Sequence, residues 1–187
     1  MSEIEFHDTD AVATGAVGEP GARAFYLQAR NSEAQLTVLV EKEQIALLAK
    51  EAGTFLDRLA EEFPEDVNPP WIESATLREP TVPLFRARLI GLGFDPENGL
   101  VLLELREHAE HDDDPEGDDD SEADDDLVGP APDEARDHGY VARIYATRPQ
   151  VRAQIALGST IVSAGRPPCP LCTMPMDPSG HRCPRWN

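Results

Sequence analysis

The chain has 187 residues, of which 40% are hydrophobic, so it is long enough for one domain with a sizeable core. Its formal charge of −20 is extreme, and residues 107–126 alone hold thirteen Asp and Glu and no Lys or Arg. The remaining residues carry 23 acids against 16 bases, which excludes the basic surface of a nucleic-acid-binding body. No apolar run reaches the ~18 residues of a membrane helix, and the first residues lack the layout of a signal peptide.

The first part of the chain has patterns that predict strands. A short strand is expected at residues 4–6, and the stretch 14–21, with its three glycines, indicates a turn or loop. Residues 24–30 and 35–40 each alternate apolar and polar side chains on either side of an Asn-Ser-Glu turn. These two segments are expected to pair as an antiparallel hairpin.

A change of period at residues 41–62 predicts an amphipathic helix that ends before Pro64. Its apolar stripe is expected to pack on the sheet, because burial of that face stabilises most helices; a partner-binding surface is the alternative. The Pro-rich residues 64–71 are expected to be irregular. Trp71, beside two prolines, either covers the end of the core or anchors a partner.

The second part of the chain again shows strands followed by a helix. Residues 82–94 are expected to form one strand, with Phe85, Ala87 and Leu89 on one face. The Asp-Pro-Glu-Asn-Gly sequence at 95–99 predicts a turn. Two further strands are expected after this turn, at residues 100–105 and 139–145. The almost continuous apolar run of the first of these favours a central strand buried on both faces.

Thr147 is the expected N-cap of a helix over 148–164, and Gly165 its terminator. Residues 146–151 at this joint can be laid over residues 40–45 at the earlier one. A basic residue, a glutamine and a β-branched apolar residue then coincide. This match indicates a duplicated β-β-α unit.

The acidic stretch at 107–137 is expected to be a disordered insertion between two strands, because like charges at this density repel each other. There are three more specific alternatives: the segment mimics the phosphates of a nucleic acid, binds calcium, or blocks a basic site on a partner. A calcium loop needs regular ligand positions around a turn glycine, and Gly117 alone does not supply them. His108 and His111 add a weak chelation option.

All three cysteines lie in the last nineteen residues with one histidine between them, as Cys169, Cys172, His181 and Cys183. The Cys-x-x-Cys spacing places two thiolates on one tight turn, and the Pro- and Gly-containing loop that follows can fold back with the other two ligands. This is the ligand complement of a structural Zn²⁺ site, because no coordination position remains for a substrate water. Clustered thiols also favour a reducing cytoplasm over a disulfide framework.

Two alternatives to this metal site remain open. Cys169 and Cys172 are either ligands or a redox pair, although a thioredoxin-type pair should open a helix. Cys183 is either a ligand or an unligated thiol. Thr173 stands where zinc knuckles usually have glycine, which calls the geometry of the turn into question.

These elements together predict an α+β fold, namely an antiparallel sheet built from two β-β-α units with helices packed on it, plus a small carboxy-terminal zinc knuckle. Residues 1–164 are expected to form the body, with the acidic insertion inside it. Residues 165–187 are expected to form the zinc-knuckle tail.

The tail segments Gly-Arg-Pro-Pro-Cys-Pro-Leu-Cys at 165–172 and Met-Asp-Pro-Ser-Gly-His-Arg-Cys-Pro-Arg at 176–185 carry a resemblance. They resemble the carboxy-terminal end of an uncharacterised actinobacterial family, a domain of unknown function catalogued as a "repeat protein". The resemblance extends over most of the chain and implies the zinc tail and a cytoplasmic setting. It also implies a pathway link to a phosphatidylinositol-kinase-like protein and a histidine-phosphatase-like protein, but no activity.

Three classes of function remain. A non-enzymatic adaptor would dock a protein partner on the knuckle through Arg166, Arg182, Arg185 and Trp186, residue types that are frequent in interface hot spots. Trp186 would otherwise cover the knuckle or the body. An enzyme would place its site on the body, with candidates at Glu104, Asp95, His7 and His138, but no catalytic motif joins them. Weak nucleic-acid binding by the knuckle is the third class, and the acidic loop opposes it.

Overall fold

Two blocks of four strands and one helix follow each other in the part of the chain that the computed structural model describes, residues 2–64, 75–108, 139–176 and 180–186. The first block consists of β1 Ser2–Phe6, β2 Ala11–Val17, β3 Ala24–Arg30, β4 Gln35–Val40 and α1 Lys42–Glu62. The second block consists of β5 Phe85–Arg86, β6 Leu89–Asp95, β7 Leu100–Arg106, β8 Tyr140–Ala146 and α2 Arg148–Ser163. The body is therefore built on one plan used twice.

The described strands form two mixed sheets of four strands, in the orders β1-β8-β7-β6 and β2-β3-β4-β5. Three neighbouring antiparallel strands of each sheet come from one block. The fourth strand pairs in parallel at the edge and is the first strand of the other block. The expected α+β class is confirmed, with two mixed sheets where one antiparallel sheet was expected. The two blocks are interlocked, because each completes the sheet of the other.

The expectation of a loop over 14–21 is wrong for its first residues, since β2 extends to Val17 and pairs along its whole length with β3. Small residues are required here because a chain segment lies directly on the sheet. A Cβ atom at Gly15 would overlap the side chain of Leu77. Gln28 holds the same segment through hydrogen bonds with the N–H and the C=O of Arg78, both 2.9 Å long. The turn itself begins at Gly18, whose φ of 108° suits glycine.

The single strand expected over 82–94 is wrong, because β5 and β6 belong to different sheets. The chain crosses from one sheet to the other at Ala87 and Arg88, and this step resets the alternation of side chains. Phe85 is 5% exposed, whereas Leu89, expected on the same buried face, is 47% exposed. The positions that pack on the core change from odd-numbered residues before the crossing to the even-numbered Ile90, Leu92 and Phe94 after it, and the apolar but exposed Leu89 hides this change of phase in the sequence.

Several other expectations about the strands are confirmed. The hairpin of β3 and β4 pairs in register from Phe25 opposite Val40 to Arg30 opposite Gln35. The turn after β6 is held by Asp95, whose Oδ1 accepts the N–H groups of the residues two and three positions later. β7 is a central strand, but it is not equally buried on both faces. Its odd-numbered residues from 101 to 105 are fully buried, and its even-numbered residues are half-buried.

Both helices begin with the same capping arrangement. In α2, Thr147 is the N-cap, and the side chain of Gln150 accepts its backbone N–H at 2.8 Å. In α1, Gln44 accepts the backbone N–H of Glu41 at the same distance. Each glutamine amide then donates to two consecutive carbonyls where the chain crosses between the sheets, at residues 87 and 88 or 9 and 10. The sequence match at these joints therefore corresponds to a repeated structural device.

The two helices pack against each other, and α2 also packs on β2. The stripe of α1 lies in the core that the helices share with both sheets, as expected; Ile45, Ala52 and Leu56 are fully buried. On α2, Val151 and Gly158 are buried, and Ile155 and Val162 are partly buried. Neither helix in the described ranges is long and apolar enough to cross a membrane.

Some predicted features lie outside the described residues. These are Trp71, His111, His138 and the acidic insertion apart from Glu107 and His108. The pairing of Arg106 with Val141 brings the two ends of the insertion together, at the position that a short turn occupies between β3 and β4.

Candidate metal centre

The tail leaves the body at the end of α2 and folds into a small loop. Its two sides meet in an isolated antiparallel bridge between Pro168 and Pro175. Two further backbone bonds close the turn: Cys169 N–H donates to the C=O of Met174, and Thr173 N–H donates to the C=O of Cys169, both at 2.8 Å. Cys169 and Cys172 are thereby presented from one tight knuckle, as their spacing predicts.

The four predicted ligands converge on one point. One ligand atom of each of Cys169, Cys172, His181 and Cys183 lies within 4.8 Å of all the others. The Sγ atoms of Cys169 and Cys183 are 3.9 Å apart, and Sγ of Cys172 lies 3.5 Å from Nε2 of His181. Tetrahedral zinc with bonds of about 2.3 Å separates its ligands by roughly 3.8 Å, so the donor set fits the geometry of one such ion.

The surroundings of the first cysteine favour its thiolate. The N–H groups of Cys172 and Leu171, followed by weaker contributions from the other thiols, lower the pKa of Cys169 to about 6. Burial raises the pKa of Cys172. The Leu171 N–H donates to Sγ of Cys169 at 3.4 Å. Backbone donors of this kind stabilise the charged sulfur that a metal ion requires.

Thr173 forms the turn for which zinc knuckles usually have a glycine. Thr173 adopts the left-handed conformation, with φ of 62°, which is the conformation that a glycine at this position would supply. Its hydroxyl donates to the C=O of Cys172 at 2.6 Å. Gly180, directly before His181, is also left-handed, with φ of 87°. The knuckle thus has the usual turn in spite of the unusual residue.

The candidate partner contacts are distributed around this knuckle. Trp186 is 78% exposed, so within the described residues it does not cover the knuckle or the body. Arg182 and Arg185 are exposed, and Nη1 of Arg185 donates to the C=O of Leu171 at 3.2 Å. Arg166 lies on the side of the tail that faces the body.

Two exposed residues of this surface were not identified by the sequence analysis. Leu171 and Met174 are 49% and 53% exposed on the knuckle turn, beside the ligands. Apolar residues within a Cys-x-x-Cys turn or directly after it are the signal that could have identified them, because such a short turn has no core in which to bury them.

Comparison with protein families matched residues 4–183 to a family described as proteins of unknown function and designated DUF3090. The chain belongs to the DUF3090 family. The match includes all four candidate ligands, so the body and the knuckle lie within one family domain. Comparison with curated proteins and with solved structures gave no match.

The enzyme candidates of this DUF3090 chain are not brought together. Glu104 lies on β7 and binds Arg106 and Arg143, each at 2.8 Å. Asp95 holds the turn after β6, and the ring of His7 stacks on Tyr145 at 4.4 Å. Among the described residues no hydrogen bond or ion pair joins these three side chains directly, although Arg143 pairs with both Glu104 and Glu5, which is the partner of His7.

Glu104 supplies a test of the ion pairs on β7 and β8 of the DUF3090 fold. Partial burial raises its pKa, but the hydrogen bonds from Arg106 and Arg143 outweigh this and hold the pKa below its usual value. We expect Glu104→Gln to lower the free energy of unfolding by about 1 kcal/mol at neutral pH, because two charge-assisted hydrogen bonds are weakened. Urea denaturation measures the loss.

The effect should depend on pH in one direction. A carboxyl whose pKa is lower in the folded state stabilises above its unfolded pKa of roughly 4.3, and this contribution is lost as the pH falls through the folded pKa. The difference between wild type and Glu104→Gln should therefore shrink at acidic pH. Glu33→Gln, an exposed change in the turn after β3, is the control. A difference that stays constant down to pH 3 contradicts the assignment.

Thr173 supplies a test of the knuckle turn. We expect Thr173→Gly to tighten metal binding about five- to thirtyfold, since a β-branched residue in the left-handed region is strained by ~1–2 kcal/mol. Competition with a chelating dye measures the affinity. Thr173→Ala removes the hydroxyl but keeps most of the backbone strain, so its metal affinity should increase much less. Equal gains for both variants would show that the hydroxyl, and not the backbone, sets the affinity.

Proposed function

We propose that the tail binds one zinc ion, which acts as a structural cross-link. The observation that supports this is the convergence of three thiols and one imidazole within 4.8 Å. Thiolate-rich tetrahedral sites favour zinc, and four protein ligands leave no open position for a substrate. Elemental analysis of freshly purified protein tests it, with one zinc per chain as the expected result. A stoichiometric metal other than zinc, or none, would refute it.

We propose further that the metal-stabilised knuckle is a protein-interaction module of a non-enzymatic adaptor. Leu171, Met174 and Trp186 are exposed on the segments that carry the ligands. The hydrogen bond from Arg185 to the C=O of Leu171 ties these segments together, so basic and apolar side chains form one surface. Exposed Trp and Arg side chains on a rigid support are typical of binding hot spots.

The setting proposed for this module is the cytoplasm, where thiols stay reduced and available to a metal. The phosphatidylinositol-kinase-like and histidine-phosphatase-like proteins suggested by the family resemblance are the first partners to assay. Purified candidates should be titrated against the full chain, with the dissociation constant as the measured quantity.

The decisive comparison uses an Arg182→Ala, Trp186→Ala double variant. We expect it to lose at least tenfold in affinity for the partner while retaining one metal ion, because neither residue is a ligand. The matched control is an Arg58→Ala, Val82→Ala double variant, which removes one exposed cation and one exposed apolar side chain from the body. Equal binding by wild type and both double variants would rule out the knuckle as the interaction surface.

A further inference from the structure

A cleft of about 220 Å³ lies where the tail meets the body. Its walls come from four parts of the chain: the turn before β3 together with the start of that strand, the first turn of α1, the end of α2, and the tail. Three of its lining residues, Arg23, Lys42 and Arg166, are cationic, and none of the described lining residues is acidic. Such a concentration of positive charge is unexpected in a chain with a net charge of −20.

The positions of these cations are defined by the fold. Nη1 of Arg23 donates to the C=O of Ala164 at 3.0 Å, which anchors its guanidinium at the end of α2. A Cβ atom added at Gly165 would lie 3.2 Å from Nζ of Lys42, and one at Gly21 would lie 3.5 Å from the guanidinium of Arg166. The two glycines therefore allow the cations to approach the backbone around one concavity.

Lys42 lines the cleft from the start of α1, of which it is the first residue. Glu41, the residue before it, is engaged elsewhere: it is the N-cap of the helix in a capping box with Gln44, and its carboxylate pairs with Nη1 of Arg86 at 2.7 Å. Because no acidic side chain is among the described lining residues, an anion from solution can approach the cationic side chains of the cleft.

We propose that this cleft binds a small phosphate-bearing anion. Guanidinium and ammonium groups are the usual partners of phosphate oxygens. The volume of the cleft suits a small molecule, and its mixed lining includes Phe25 and Ile161 beside the cations. This binding site is separate from the knuckle surface that we propose for a protein partner.

The cleft also connects the anion to the metal centre. Gly165, Arg166 and Pro175 belong to the tail, whereas Arg23 and Lys42 belong to the body. A bound anion therefore holds the tail against the body, and a folded tail completes the cleft. By linkage, removal of the metal should weaken anion binding, and anion binding should protect the tail against unfolding.

The test is an amide NMR titration of the metal-loaded full chain with inorganic phosphate, with chloride at matched ionic strength as the blank. We expect saturable shifts at residues 20–25, 42–45 and 165–166. Lys42→Gln should weaken the affinity at least about tenfold. Lys50→Gln, at a highly exposed lysine of the same helix, should titrate like wild type. Unchanged affinity in Lys42→Gln, or equal shifts with chloride, would overturn the proposal.

Two further measurements exclude misfolding of the variant and binding to a membrane as explanations of the titration. The spectrum of Lys42→Gln away from the cleft and its metal content report whether the variant is folded and loaded, and Arg23→Gln repeats the test from another wall. Co-sedimentation with phosphatidylcholine vesicles that contain phosphatidic acid distinguishes a lipid headgroup from a free anion. We expect the protein not to co-sediment with these vesicles, because its net negative charge is repelled by the negative membrane surface. Co-sedimentation that Lys42→Gln abolishes would overturn the assignment to a soluble ligand.

Discussion

Replacing Cys172 with alanine is expected to abolish stoichiometric metal binding and to unfold the tail while the body stays folded. The tail has almost no core, and of its described residues only Cys169 is among the buried hydrophobic side chains. In such small modules the free energy of metal binding, about 10–16 kcal/mol for structural zinc, is the free energy of folding. Loss of one of four ligands should therefore weaken metal affinity by about a thousandfold or more.

Elemental analysis and amide NMR measure this result. Resonances of residues 165–176 and 180–186 should collapse to unfolded positions, whereas those of β7 and β8 should remain. Met174→Ala, an exposed change in the same turn, is the matched control and should keep its metal. A chelator added to wild type should reproduce the Cys172→Ala spectrum. A tail that stays folded without metal would show that the body, and not the ion, holds it.

Gly158→Leu is expected to destabilise the body by about 2–3 kcal/mol, because α1 and α2 are in close contact at this point. A Cβ atom at Gly158 would already lie 3.1 Å from Cγ2 of Ile45, which is fully buried. The remaining atoms of a leucine side chain would force the helices apart or displace Ile45. Chemical denaturation of the metal-loaded protein measures the change in the free energy of unfolding.

Gly53→Leu is the matched control, since Gly53 lies within α1 and has no described atom within 4 Å of an added Cβ. Its replacement should stabilise the protein by up to ~1 kcal/mol, because leucine has a much higher helix propensity than glycine. The free energy of unfolding of Gly158→Ala should lie between those of Gly158→Leu and Gly53→Leu. Equal stabilisation by both leucine substitutions would contradict the close packing of the two helices.

Local sequence patterns predicted most of the individual elements. The hairpin of β3 and β4, the start of α2 at Thr147 and the body of α1 follow from periodicity and capping, which act over a few residues. The same holds for the turn at Asp95. Each of these features is determined by contacts between near neighbours in the chain, so a short window of sequence contains the necessary information.

The errors have a common cause in contacts between distant segments. β2 was missed because its small residues are explained only by the chain segment at Leu77 that lies on it. β5 and β6 were merged because the crossing between sheets at Ala87 and Arg88 is stabilised by Gln44, more than 40 residues earlier in the chain. Neither partner is visible in a local pattern.

The two candidate sites differ in the same way. The convergence of the four candidate ligands was predictable, because the spacing of Cys169 and Cys172 and the foldback to His181 and Cys183 depend only on the chain between them. The anion cleft was not predicted, because its cations come from the turn after β2, the start of α1 and the start of the tail. Isolated basic residues have no sequence signature until the fold places them together.

Composition and spacing by themselves determined that this chain is a folded domain with one highly acidic segment and a Cys₃His knuckle, since charge density and ligand spacing are properties of the chain alone. Only the tertiary structure decided that the two blocks exchange their first strands, that Trp186 stays exposed and that Arg23 and Lys42 line one cleft with Arg166. These features depend on free energies of packing between segments that lie far apart in sequence. Such contacts exist only once the two sheets and the two helices have assembled around one core.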